Sequence, residues 1–195
     1  MKRVLYAFAA SALIFSSSAF ATVIDFESTG TPNAYNNLDY PIDGFRFNFT
    51  MDNIDLSANW WAGTGPAHSG IFAGLNNYGG IGSITRDDHA TFAFNGLWVK
   101  NWFDSTSRVG TITGLLNGNV VAQMTANSSG DWSHVAANFT NIDTLNFDFG
   151  NYFLVDDISL NNATPPNDVP EPGSLALFGL GAAALMTRLR RKSQA

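Results

Sequence analysis

Apolar residues alternate with polar ones along several short segments in the middle of the chain. Phe45, Phe47 and Phe49 are separated by one polar residue each, which is the period of a strand with one buried face. The same period returns at 92–94 and at 145–149. No stretch of about twelve residues in this region carries a helical apolar stripe. The pattern therefore predicts an all-β domain.

Glycine and asparagine interrupt these segments every 8–12 residues or so, which is the spacing typical of a sandwich or barrel. Asn117-Gly118 lies between two such segments and accepts positive φ at both positions, which predicts a two-residue hairpin. About nine strands in ~140 residues favour two packed antiparallel sheets, in a jelly-roll-like β-sandwich. The other predicted strands are 23–26, 70–75, 97–103, 111–116, 119–124, 132–139 and 152–160.

The N-terminal end has the three parts of a secretory signal peptide. Lys2 and Arg3 are followed by an uncharged apolar segment, and Ala19 and Ala21 then form an A-x-A cleavage site. We therefore predict that residues 1–21 are a signal peptide cleaved after Ala21, and that the chain is exported.

The C-terminal end has a second ordered pattern, in which a Pro-Glu-Pro tripeptide precedes an apolar segment at 174–187 and an arginine-rich end. A helix of about 14 residues spans ~21 Å, less than the ~30 Å of a hydrocarbon core, but terminal Arg and Lys side chains extend its reach. Because a basic cluster stays on the cytoplasmic side, the pattern predicts a single transmembrane helix with the preceding domain outside. The residues of this signal are Val169, Pro170, Glu171, Pro172, Arg188, Arg190, Arg191 and Lys192.

This order of tripeptide, apolar segment and basic end resembles the PEP-CTERM sorting signal. The resemblance implies recognition by an exosortase, a membrane cysteine protease, and cleavage near the tripeptide. It also implies a Gram-negative host that makes exopolysaccharide. The inner membrane would then be a transient anchor, and the cell surface or the extracellular space the destination.

The chain divides into four parts on these patterns: a signal peptide at 1–21, a β-sandwich domain at 22–160, a proline-bearing linker at 161–168 and a sorting tail at 169–195. Residues 22–168 contain four basic and fifteen acidic residues, a net charge of −11. Such a surface repels nucleic acid and anionic lipid, and it suits cations, neutral polymers or solubility alone.

Two features point to carbohydrate. Residues 24–27 and 153–158, at the two ends of the domain, resemble the corresponding ends of jelly-roll carbohydrate-binding modules of the galactose-binding-like type. Trp60 and Trp61 lie in a predicted loop, where an aromatic ring could stack on the flat face of a sugar. The alternative is that one ring covers the edge of the core and the other packs against loop backbone.

A structural Ca²⁺ is a further prediction. If the first and last strands run side by side, Glu27 could meet Asp156 and Asp157, and the family resemblance points the same way. The alternative is that these aspartates cap a turn or face water. Asp143, Asp148, Asp156 and Asp157 all alternate with apolar residues, which predicts outward-facing positions on strands.

No group of residues forms a recognisable catalytic site, and Glu27 is the only glutamate between the tags. We therefore predict a non-enzymatic, exported protein of the cell surface or exopolysaccharide matrix that binds carbohydrate by aromatic stacking and hydrogen bonds. One alternative is a structural or adhesive matrix protein without a sugar site. Another is a polysaccharide hydrolase, which would need two carboxyl groups about 5–10 Å apart in a cleft.

Overall fold

The computed structural model describes residues 21–30, 35–38, 40–48 and 50–162, all of which belong to one compact unit, Ala19–Pro165. Within these residues no helix has the length and apolar character needed to cross a membrane. The predicted transmembrane helix, the sorting signal and the cleavage-site residue Ala19 all lie outside the described residues, and Ala21 is the first residue of the first strand.

The described part of the chain contains twelve β-strands and one short 3-10 helix, Asn59–Thr64. The strands are β1 (Ala21–Ile24), β2 (Tyr35–Asn37), β3 (Phe45–Phe47), β4 (Met51–Asp55), β5 (Phe72–Asn76), β6 (Gly82–Arg86), β7 (Phe92–Asn101), β8 (Arg108–Leu116), β9 (Asn119–Ser128), β10 (Ser133–Ile142), β11 (Thr144–Asp148) and β12 (Phe153–Asn162).

The strands form two antiparallel sheets, which confirms the predicted all-β, jelly-roll-like sandwich. The seven-stranded sheet has the order β10-β7-β12-β5-β4-β2, with β1 paired to β12. The five-stranded sheet has the order β3-β6-β11-β8-β9. Consecutive strands often belong to different sheets, so the chain crosses repeatedly from one layer to the other and holds the layers together.

The main core lies between the two sheets and is rich in phenylalanine. Phe92 and Phe94 on β7 belong to the same buried cluster as Phe147 on β11, and Phe147 meets Phe153 edge-on with ring centroids 6.0 Å apart. All four side chains are fully buried. Such edge-to-face pairs add to the stabilisation that burial of apolar area already gives.

A second apolar cluster lies on the outer face of the seven-stranded sheet. Loop residues Leu56 and Ala67 cover Ile54 on β4, Leu75 on β5 and Leu154 on β12. This sheet is therefore buried on both faces along its middle strands. As a result, all five residues of β4 are buried although three of them are polar.

The structure differs from the predicted strands in two ways. The segments 92–94 and 97–103 form one continuous strand, β7, which passes through Gly96. Strands β2, β4 and β6 were not predicted from the sequence pattern. β2 has only three residues, and β4 lacks alternation because both of its faces are covered.

Candidate functional site

A groove crosses the outer face of the five-stranded sheet and has a volume of about 260 Å³. We call it the sheet groove. Its size is just below that of typical small-molecule pockets, which are roughly 300–1,000 Å³. Its lining residues come from β8, β9 and β11 and from the turn before β6: Ile81, Thr111, Thr113, Leu115, Val120, Gln123, Asn146, Phe147 and Asp148.

The alternation of the strands places polar side chains in the groove. On β8, Ile112 points into the main core, so Thr111 and Thr113 point outward. Register brings Thr113 opposite Asn146 on β11 and opposite Gln123 on β9. The middle of the groove is therefore a cross-strand row of hydroxyl and amide groups.

Hydrogen bonds orient two of these groups. The Gln123 side-chain Nε2 donates to Thr113 Oγ1 at 3.2 Å, which leaves the Thr113 hydroxyl proton available to an acceptor. Asp148 Oδ1 accepts the backbone N–H of Gly150 at 2.9 Å, which holds the carboxylate at the end of the groove. Hydroxyl, amide and carboxylate groups in one row can donate to and accept from the hydroxyl groups of a sugar.

The groove is nearly uncharged. Asp148 is the only ionisable residue among those that line it, although residues 22–168 carry fifteen acidic residues. Leu115, Val120 and Ile81 add apolar surface beside the polar row. The site therefore suits a neutral ligand that has both hydroxyl groups and C–H faces.

The described tryptophan side chains lie on the other sheet and do not reach the groove. Trp98 on β7 stacks on His68, with ring centroids 3.7 Å apart. Trp132 donates its indole N–H to the carbonyl oxygen of Pro66 at 3.0 Å, and Trp102 packs against the second apolar cluster. These rings hold the 59–71 segment on the outer face of the seven-stranded sheet.

Trp60 and Trp61 belong to the 3-10 helix of this same segment. The Lys100 ammonium group on β7 donates to the carbonyl oxygen of Thr64 and so ties the end of the helix to the seven-stranded sheet. The side chains of Trp60 and Trp61 lie outside the described part of the chain, so their predicted role in stacking on sugar stays a prediction.

Glu27, Asp156 and Asp157 all bind one loop, at 68–72. Glu27 Oε1 accepts the backbone N–H groups of Ile71 and Phe72, both at 2.8 Å. Asp156 Oδ2 accepts those of His68 and Ser69, at 3.0 and 3.1 Å. We call this arrangement the carboxylate clasp. β1 pairs with β12, and Glu27, which follows β1, binds the part of this loop next to the residues that Asp156 binds.

The side chain of Asp157 completes the clasp. Its Oδ2 lies 2.6 Å from His68 Nδ1, and its Oδ1 accepts the Ser69 hydroxyl at 2.8 Å. Among the described residues, no group of three or more His, Cys, Asp or Glu side chains is arranged to hold a metal. The clasp oxygens instead accept hydrogen bonds from the loop, and the Ca²⁺ site stays a prediction.

The predicted outward-facing position does not expose Asp156 to solvent. Asp143 and Asp148 are at the surface, but Asp156 is fully buried, because the 68–72 loop covers its face of the sheet. Burial raises the pKa of Asp156 to about 7, although three backbone N–H bonds favour its ionised form.

The residues of the sheet groove were not predicted as a site from the sequence. Thr111, Thr113, Gln123 and Asn146 look like ordinary outward positions of amphipathic strands. Nothing in their local pattern distinguishes a groove from a flat solvated face. Only the strand register, which brings three separate segments side by side, shows that they form one surface.

Comparisons with known proteins bear on the tail and on the strand architecture. Residues 168–192 match the PEP-CTERM protein-sorting motif. No curated protein sequence matches the chain.

Among solved structures, the K2 cleaved adhesin domain of Lys-gingipain is 14% identical, with a TM-score of 0.44, covering 72% of this chain and 99% of that one. The CBM22-1 xylan-binding domain of Xyn10C from Paenibacillus barcinonensis is 12% identical, with a TM-score of 0.44 and coverage of 77% and 99%. A family 11 carbohydrate-binding module from Clostridium thermocellum, solved with a mixed-linked tetrasaccharide, is 14% identical, with a TM-score of 0.37 and coverage of 76% and 98%.

These likenesses concern the arrangement of strands and assign neither ligand nor activity to this chain. The motif match covers the tail, where the ordered tripeptide, apolar segment and basic end predicted it. The chain is thus an exported protein that carries a C-terminal PEP-CTERM sorting motif after an all-β sandwich domain.

Proposed function

We propose that the exported domain binds a neutral polysaccharide chain in the sheet groove and does no chemistry on it. The observation that carries this proposal is the row of hydroxyl and amide groups formed by Thr111, Thr113, Gln123 and Asn146 across three strands. Such groups match the alternating donors and acceptors of sugar hydroxyls. The apolar residues beside the row offer contact to the C–H faces of the sugar ring.

The charge of the groove favours a neutral polymer over an anionic one. The domain carries a net charge of −11, which repels polyanions at a distance. Within the groove, Asp148 is the only charged lining residue, and it is negative. A carboxylate accepts hydrogen bonds from uncharged hydroxyl groups but repels uronate or phosphate.

The same observation favours binding over hydrolysis. Glycoside hydrolysis by the usual route needs two carboxyl groups on opposite sides of the scissile bond. The described residues that line the groove provide one carboxyl group, that of Asp148. One carboxylate can orient a sugar. Hydrolysis would need a second carboxyl group, because one acts as the general acid and the other as the base or nucleophile.

The sorting motif supports a site of action outside the inner membrane. An exosortase would remove the tail near Pro170-Glu171-Pro172 after the inner membrane has held the chain transiently. The released domain would then reach the cell surface or the exopolysaccharide matrix. Weak binding to a repeating polymer would retain it there, because many identical sites lie along one polymer chain.

Affinity electrophoresis of the exported protein through gels containing neutral polysaccharides tests the proposal. The double variant Thr113→Val and Asn146→Ala removes two groups of the row. At ~0.5–1.5 kcal/mol for each of the two lost hydrogen bonds, retention should weaken roughly fivefold or more.

Thr140→Val is the matched control, because Thr140 is an exposed threonine on β10 of the other sheet. It should leave retention unchanged. The proposal fails if the unaltered protein migrates freely through every neutral polysaccharide, or if the double variant is retained as well as the control.

A further inference from the structure

The edge strands of the two sheets differ in length from one side of the sandwich to the other. On one side the edge strands are β2 and β3, with three residues each. On the other side they are β9 and β10, with ten residues each. A strand at the edge of a sheet presents unpaired N–H and C=O groups, and short strands are one of the ways in which proteins limit this exposure. The β9 and β10 side lacks that protection.

β10 is protected in another way. Its register with β7 shifts twice, between Ala136 and Phe139 and again between Phe139 and Ile142. Asn141 near its end has a φ of 55°. Irregularities of this kind bend an edge strand and interrupt the row of groups that a second strand would need.

β9 remains regular. It pairs with β8 without interruption from Ala122↔Gly114 to Ser128↔Arg108, and its only register shift lies at the hairpin end. Among the described residues, β8 is its only strand partner. β9 therefore has a regular edge without a paired strand over about six residues, Ala122 to Asn127, before Ser128 is buried against Asn101 of β7.

The open edge is also uncharged. Between Asn119 and Ile142 the only Asp, Glu, Lys or Arg is Asp131, whereas the whole of 22–168 carries a net charge of −11. Native edges commonly carry charged side chains, lysine above all, that prevent pairing. β9 has none, and Val120 and Val121 are 60% and 52% exposed on it.

We propose that β9 pairs antiparallel with β9 of a second copy of this chain. Two copies at −11 each repel one another, so a stable contact between them has to avoid their carboxylates, and β9 does so. A two-fold axis through the middle of the strand matches each free N–H with a free C=O of the same sequence. The two five-stranded sheets then become one continuous ten-stranded sheet.

The pairing bears on the proposed function, and this step rests on it. Gln123 and Val120 lie on β9 and also line the sheet groove. Two grooves would therefore meet across the two-fold axis and could bind adjacent parts of one polysaccharide chain. Dimer formation itself is independent of any sugar and is measured in its absence.

Sedimentation equilibrium of the exported protein, without polysaccharide, measures the association. Thr125→Lys places a charge in the middle of the open edge, where the two-fold axis brings two lysines close together. We expect a concentration-dependent dimer for the unaltered protein and at least a tenfold weaker association for this variant.

Thr140→Lys on β10 is the matched control and should leave the association unchanged. Both substitutions lower the net negative charge by the same amount. A general charge effect would therefore strengthen the association of both variants, and it could not explain weaker association of Thr125→Lys alone. The thermal midpoint of each variant shows whether it folds.

Single cysteines locate the contact, because the chain has no cysteine of its own. Under mild oxidation, Thr125→Cys at the two-fold axis should form a symmetric disulfide-linked dimer, and Thr140→Cys should not. The proposal is overturned if the protein is monomeric at all concentrations, if the cysteine at position 140 cross-links instead, or if open-ended oligomers form in place of closed dimers.

Discussion

Burial and hydrogen bonding act in opposite directions on the carboxyl group of Asp156. Three backbone N–H groups, from His68, Ser69 and Asp157, donate to its carboxylate and favour its charged form. The cost of removing that charge from water is larger, and the pKa rises from 3.8 to about 7. The carboxyl group therefore keeps its proton to a much higher pH than an exposed aspartate does.

This pKa has a consequence for stability. Because the folded state binds the Asp156 proton more tightly than the unfolded state, the contribution of Asp156 is fully present below pH ~4 and is lost as the pH rises through about 7. We expect urea unfolding at pH 4 to 8 to show this decline, by at most on the order of 4 kcal/mol.

The variant Asp156→Asn keeps the shape but cannot titrate, so it should remove this part of the decline. Asp88 and Asp104, whose pKa values are lowered by hydrogen bonds, act at more acidic pH and in the opposite direction. An equal slope for the variant and the unaltered protein between pH 4 and 7 would rule out the raised pKa.

Calcium is a separate prediction at the same residues. A metal that binds only the folded state raises the unfolding midpoint by mass action. If Ca²⁺ joins Glu27, Asp156 and Asp157, thermal melts with excess Ca²⁺ should have a higher midpoint than melts with chelator. Equal midpoints would leave the loop hydrogen bonds as the only partners that the carboxylate clasp requires.

The sequence predicts one property of the carboxylate clasp and does not predict another. That the first and last strands are neighbours could be predicted, and β1 pairs with β12. The burial of Asp156 could not, because it depends on a loop almost ninety residues earlier in the chain that folds over its face.

Among the strands, Gly96 allows β7 to continue past the position at which its register with β12 shifts. It has a φ of 153°, and a Cβ there would lie 2.4 Å from the carbonyl oxygen of Val135 on β10. Opposite it, β12 shifts its register with β7 between Asp156 and Ser159. The two features occur together, and they allow β7 to pair with both β10 and β12 although the register shifts in each pairing.

Replacing Gly96 therefore tests the joint between these strands. Gly96→Ala forces the backbone of β10 to move and should cost roughly 2–4 kcal/mol of unfolding free energy. Gly118→Ala is the control, because Gly118 also has positive φ, 76°, but nothing lies within 4 Å of its added Cβ. It should cost only ~1 kcal/mol. Equal losses in urea unfolding would show that the contact with Val135 is not the cause.

Local signals predicted some elements and not others. Asn117-Gly118 predicted the β8–β9 hairpin, and both residues have positive φ, at 52° and 76°. β4 gave no such signal, because Asp52, Asn53 and Asp55 are polar and yet buried. Asn53 donates to the carbonyl oxygen of Phe26 at 2.9 Å, a partner that the local sequence does not reveal.

At the scale of the whole molecule, the net charge depends on which parts of the chain remain. The full chain carries −6, but six of its ten basic residues lie in the two tags. Residues 22–172 contain four basic and sixteen acidic residues, a net charge of −12. Processing at both ends would thus double the negative charge of the protein and increase the repulsion between copies everywhere except at uncharged surfaces such as the β9 edge.

Processing of the tail can be measured directly. Intact mass spectrometry of the protein released by its native host should show the loss of residues beyond about Pro172, and isoelectric focusing should show a more acidic product. Replacing Pro170, Glu171 and Pro172 with alanine should keep the tail attached and the protein in the membrane fraction, whereas Asn167→Ala, just before the motif, should be processed normally. Released protein that still ends at Ala195 would contradict the proposed cleavage, because the basic tail would then have left the membrane intact.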